Sequence, residues 1–170
     1  MRRFAVPFRN LALPILAALL WPGIAAARES LGLYETWGAF RDPVVPRCYA
    51  IAMAEPSTME RDYQPYATIG TWPRRGLRNQ VHFRVSRKLA GGSSIYVVIG
   101  KQRFDLTGGG GDAWAKDPTG NAAIIAAMRS ASRMVLHARD ARGRGFTNSW
   151  PLAGAASAID SAAIGCARLR

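Results

Sequence analysis

Short strand-forming runs, each closed off by a turn signal, recur along most of this chain, and that punctuation restricts its fold more than any other feature. In "NQVHFRVSR", Val81, Phe83 and Val85 fall on one side of an extended chain, and His82, Arg84 and Ser86 on the other. Such alternation predicts a strand with one covered and one polar face. "YATIGTWP" precedes it across the basic turn "RRGLR"; "LAGGSS" follows as a turn, then "SIYVVIG" is a strongly β-forming apolar run that "KQRFDLT" extends after a break at Gly100. In "RCYAIAMAE", Cys48, Ala50, Ala52 and Ala54 share one face and Tyr49, Ile51 and Met53 the other. Both of its faces are largely apolar, which predicts cover on both sides. "LGLYETWGAFRD" is a first extended segment, while "MVLHARD" and "FTNSWPL" are strands flanking the turn "ARGRG". The pattern predicts roughly seven or eight strands.

Two stretches change period. "TGNAAIIAAMRSASR" carries Ile124, Ala127, Met128 and Ala131 at helical spacing, with Thr119 or Asn121 as N-cap. "AGAASAIDSAAIGCARLR" places Ala155, Ala156, Ile159, Ala163 and Cys166 on one stripe, which aims the cysteine at the core. The expected fold is therefore mainly β, a sandwich with one or two short helices.

The chain opens "MRRFAVPFRNLALPILAALLWPGIAAARES". Arg2, Arg3 and Arg9 make a positive n-region, Leu11 to Leu20 an apolar h-region, and Ala25-Ala26-Ala27 a small-residue cleavage pattern. An N-terminal anchor is the competing reading, but the apolar run is short and interrupted by Pro14 and Pro22. We expect a signal peptide at residues 1–27 and one domain at residues 28–170. The destination is then periplasmic or outer-membrane-associated. Cys48 and Cys166 are the only two cysteines, and an even count in an exported domain favours one bridge over two free thiols.

The full chain carries 23 Lys and Arg against 11 Asp and Glu, a net charge of +12. Without Arg2, Arg3 and Arg9 the balance is +9. A basic surface attracts anionic glycans, lipid head groups or nucleic acid, and the expected compartment argues against the last. Arg74, Arg75 and Arg78 form one basic group, continued by Arg84, Arg87 and Lys88; Arg139, Arg142 and Arg144 form a second. Both are candidate anion-binding surfaces, with a merely solvated surface as the alternative.

Catalytic patterns are sparse. "DLTGGGGDAWAKD" lacks the Lys and hydroxyl of a phosphate cradle, and Asp112 and Asp117 would repel a phosphate. Its glycines predict a tight strand-to-helix loop. His82 and His137 are the only histidines, in no metal-ligand spacing and without a nucleophile elbow nearby. The carboxylates assemble into no glycosidase pair by spacing. No catalytic, cofactor or metal residues are assigned. Trp37, Trp72, Trp114 and Trp150 read as core anchors, although an exposed one could stack on a sugar ring.

"WGAFRD…RCYAIAMAE", "VHFRVSR", "IYVVIGKQRFDL", "AAIIAAMRSASRMVLHARDARG" and "FTNSWPLAGAASAIDSAAIGC" together resemble the invasion-associated locus B (IalB) family of exported proteobacterial proteins. The resemblance covers roughly residues 34–167. It implies an immunoglobulin-like β-sandwich in the periplasm or at the outer membrane, a link to host-cell invasion in pathogenic members, and no catalytic residues. Better-known members carry a cysteine in the loop before the amphipathic helix, where this chain has "GGGGDAWAKDP". The expected function is a non-enzymatic envelope protein binding an anionic glycan, lipid head groups or an envelope protein. The alternatives are an envelope-acting hydrolase with His82 or His137 as base, and a purely structural envelope component.

Overall fold

The structure is a computed structural model that describes residues 28–167; the expected leader lies outside the described residues. Its strands are β1 (Glu29–Tyr34), β2 (Trp37–Asp42), β3 (Arg47–Met53), β4 (Tyr66–Trp72), β5 (Leu77–Arg84), β6 (Ile95–Ile99), β7 (Gln102–Gly109), β8 (Asp112–Ala115), β9 (Arg133–Arg139) and β10 (Gly145–Pro151). Helix α1 (Pro118–Met128) separates β8 from β9, and α2 (Ala155–Ala167) ends the described chain. All ten strands form one antiparallel sheet in the order β1-β2-β3-β4-β5-β8-β7-β6-β9-β10. The first five strands form a meander. The chain then crosses to β6 and returns through two hairpins, so that β8 pairs with β5.

The sheet turns its apolar face inward on itself, giving the expected mainly β, sandwich-like fold. Phe83 of β5 meets Trp150 of β10 with ring centroids 5.5 Å apart. Trp37 Nε1 donates to the Pro151 carbonyl at 2.9 Å, the Glu55 N–H to the Ser149 carbonyl at 2.8 Å, and the Ser86 N–H to Asn148 Oδ1 at 3.0 Å. These bonds satisfy backbone groups at the rim, where ladder partners run out.

Helix α2 packs on the first four strands with a face of small residues, Ala155, Ala158, Ala162 and Gly165, around Ile159. Gly165 makes room for the Leu31 side chain, since a Cβ there would lie 2.4 Å from Leu31 Cδ1 and would make that side chain shift. The expected stripe is rotated slightly, since Ala163 is exposed while Ala158 and Ala162 face inward. Cys48 and Cys166 form the expected disulfide, with Cα atoms 5.5 Å apart across a sequence separation of 118. Helix α1 inserts Ile124 and Met128 into the core. Its N-cap is Asp117, whose Oδ1 accepts from the Gly120 N–H at 2.7 Å, rather than Thr119 or Asn121. Asn121 instead accepts the Val81 N–H at 2.9 Å.

The strand count exceeds expectation for two local reasons. Residues 29–42 form a hairpin rather than one extended segment, turning through Glu35 at φ +53°, a conformation its residue type does not advertise. The glycine run is also a hairpin: Gly110, at φ +61°, turns β7 into β8 before the helix begins. Among the described residues no helix is long and apolar enough to cross a membrane.

Candidate functional site

The face of the sheet opposite the core is aromatic over β3, β4, β5 and β8. Strand alternation directs Tyr49, Ile51 and Met53 outward from β3, and Tyr66, Thr68 and Trp72 from β4. Register then aligns Ile51, Thr68, His82 and Trp114 as one row across four strands. A parallel row holds Met53, Tyr66, Arg84 and Asp112. The expected cover on both faces of β3 is thus absent from its outer side: Met53 is exposed, while Tyr49 and Ile51 are half-buried beside their aromatic neighbours. Gly70 gives Trp72 its position, since a Cβ there would lie 2.6 Å from the indole ring. The result is a groove of about 480 Å³, bounded by Tyr49, Tyr66, Trp72, His82 and Trp114, with Arg28 and Arg47 at its margin. Its volume lies within the roughly 300–1,000 Å³ of small-molecule sites.

His82 is held from several sides. Its Nε2 lies 3.0 Å from Asp112 Oδ1 and its Nδ1 3.4 Å from Thr68 Oγ1. Its ring is 5.2 Å from Trp114 and 5.8 Å from Tyr66 between centroids. Arg84 binds the other oxygen of Asp112 at 2.6 Å and lies 4.1 Å over the Tyr63 ring. Hydroxyl, imidazole and carboxylate therefore stand in the order of a nucleophilic relay. Acyl transfer also needs donors aimed at a developing oxyanion, and the strand amides on either side of Thr68 are committed to the ladders with β3 and β5. What the groove offers is flat apolar rings beside the polar groups of Thr68, Gln80 and His82. A pyranose ring has matching features: C–H faces that pack on aromatics and rim hydroxyls that both donate and accept.

The nine basic residues singled out in the sequence are divided by the fold. Arg74 and Arg75 occupy a 3-10 turn, Arg78 is the second residue of β5, and all three are exposed without an ion pair among the described residues. With Thr71 and Asn79, Arg74 and Arg78 border a recess of about 550 Å³ against the C-terminal turn of α2. The electronegative end of that helix attracts these cations and competes there with a soluble anion. Arg84 lies at the edge of the groove. Arg87 turns inward, with Nη1 donating to the Glu60 carbonyl at 2.6 Å and Nε 3.1 Å from Asp140 Oδ2.

Lys88, Arg139, Arg142 and Arg144 come together at the other end of β5, organised by Asp140, which is only 3% exposed. Asp140 Oδ1 accepts the N–H groups of Arg142 and Arg144, each at 2.9 Å, and Oδ2 accepts Arg144 Nε at 3.0 Å. The Lys88 carbonyl accepts the Ala141 N–H at 2.8 Å, and Arg139 Nη1 donates to the Gly143 carbonyl at 2.9 Å. Burial presses the Asp140 carboxyl upward, but the backbone and guanidinium of Arg144 and the N–H of Arg142 outweigh it, holding it below 3.8. Asp140→Asn should lower the melting temperature at neutral pH by leaving Arg87 without its anion. A lowered carboxyl contributes fully above its unfolded value and loses that contribution as pH falls through its folded one. The gap between wild type and variant should therefore close below pH 3.8 in thermal melts; a constant gap would remove the ionised carboxylate from the explanation.

Comparison with protein-family models, with curated proteins and with solved structures finds no match. Sequence reasoning did not single out Tyr49, Tyr66, Arg28 or Arg47. The available signal was the strand "RCYAIAMAE" itself, whose disulfide-bearing face must point inward and thereby turns Tyr49 and Ile51 outward. The four tryptophans among the described residues separate cleanly: Trp37 and Trp150 are core residues at 1% and 0% exposure, while Trp72 and Trp114 line the groove.

Proposed function

We propose that this chain is an exported, non-enzymatic cell-envelope protein of the invasion-associated locus B type, which binds a glycan across the outer face of β3, β4, β5 and β8. The observation that carries the reading is the aromatic groove, in which Tyr66, Trp72 and Trp114 surround the polar side chains of Thr68 and His82. The leader pattern and the Cys48–Cys166 bridge support a periplasmic or outer-membrane-associated setting, and the excess of arginine suits envelope polymers that carry negative charge.

The test is a titration of the purified protein against peptidoglycan fragments and lipopolysaccharide. Trp114→Ala should weaken glycan binding by roughly thirtyfold, the equivalent of the ~2 kcal/mol lost when an interfacial tryptophan anchor is truncated. The Arg74/Arg75/Arg78 triple serine variant serves as the comparison. It should reduce salt-sensitive association with acidic material and leave the groove intact. Full affinity in the Trp114→Ala variant would place the binding surface elsewhere.

A further inference from the structure

We propose that the groove selects saccharides bearing a carboxylate, and that Arg47 receives it; this inference rests on the glycan reading above. Arg47 opens β3 at the margin of the groove, with its guanidinium carbon 5.0 Å from the Tyr49 ring centroid. Its one carboxylate contact is long, Nη2 to Asp42 Oδ2 at 3.4 Å. Its Nε is buried and has no hydrogen-bond partner among the described residues. With Nε unpaired and Nη2 held only at long range, the guanidinium is under-satisfied, and its solvent-facing edge at the lip of the groove is where an acceptor belongs.

Charge counting gives the class of acceptor. Asp42 is shared between Arg47 and the more distant Arg28, whose Nε lies 3.9 Å from Oδ2. Its Oδ1 accepts the Val45 N–H at 3.2 Å. Two side-chain cations facing one anion leave a single positive charge at this margin. At the other margin, Asp112 is matched by one guanidinium, that of Arg84 at 2.6 Å, so one permanent cation meets one anion there. The planar fork of Arg47 takes a carboxylate bidentately, and one surplus charge is balanced by a monoanion but exceeded by a phosphate dianion. A carboxylated sugar places its acid on Arg47 with its ring over Trp72, since Tyr49 already stacks with Phe40 and lies under the Arg47 guanidinium.

A matched pair of probes tests this directly: a neutral galactose tetramer and the corresponding galacturonate tetramer, titrated by calorimetry at low and high salt. The acidic tetramer should bind about tenfold tighter at low salt, with the advantage shrinking as salt screens it. Arg47→Gln should erase that advantage, bringing the acidic tetramer down to the affinity of the neutral one in the same variant, whereas Asp42→Asn should widen it by releasing Arg47 from its competing carboxylate. Circular dichroism melts would verify that both variants remain folded. Equal affinity for the two tetramers, both lost in Trp114→Ala, would overturn the carboxylate preference and leave the glycan reading standing. Binding of peptidoglycan fragments but of neither tetramer would overturn the carboxylate preference alone, and binding of none of these glycans would overturn both.

Discussion

Cys48→Ala, alone or with Cys166→Ala, is expected to lower stability by about 4–5 kcal/mol, because the bridge closes a loop of more than a hundred residues. The closure is long by the measure of the chain, 118 positions from β3 to α2. The effect should be concentrated on α2. Most of that helix's buried residues are alanine or glycine, and burying a methyl group contributes much less than burying a leucine or phenylalanine. Ile159 and the bridge therefore anchor a helix whose remaining contacts are individually weak. Urea unfolding of the oxidised and dithiothreitol-reduced protein measures the difference, with the double alanine variant separating loss of the bond from side reactions of free thiols. Coincident midpoints would mean that α2 holds its place by packing alone.

The second large effect should come from Trp150→Ala, at about 3–5 kcal/mol. Trp150 is fully buried on β10 and packs against Phe83 across the interior, so truncation empties the contact where the two halves of the sheet meet. Trp150→Phe should cost much less than the alanine change. The indole Nε1 is buried without a hydrogen-bond partner among the described residues, and exchanging it for phenylalanine removes an unpaired donor along with some apolar area. Chemical denaturation of the two variants beside wild type checks the ordering. Equal losses would show that shape at this position outweighs the indole N–H.

The core half of the architecture was written plainly in the sequence. Val81, Phe83 and Val85 are buried as their alternation predicts, and Cys48 and Cys166 both face the interior. The turns were harder. Glu35 adopts a left-handed conformation without glycine, and the glycine run gives no direct sign of whether a strand or a helix comes next. The groove was the least legible feature, because it is a property of register. Thr68, His82 and Trp114 lie 46 positions apart from first to last, and only the crossover that brings β8 beside β5 sets them in a row. Charge runs were a poor guide for the same reason. Arg87 and Lys88 are adjacent in the chain, yet one points to a buried carboxylate and the other to solvent.

That same crossover leaves a seam. The β5–β8 ladder contains three residue pairs, His82 with Trp114, Phe83 with Ala113 and Arg84 with Asp112, and it is the shortest ladder in the sheet. The groove lies directly across it, with Trp114 on one side and Tyr49, Tyr66 and Trp72 on the other. A molecule gripping both sides acts as a clasp over the narrowest part of the sheet, and its binding free energy is added to that of keeping the seam closed. Ligand occupancy would then be recorded in the backbone itself, as slower amide hydrogen exchange along β5 and β8.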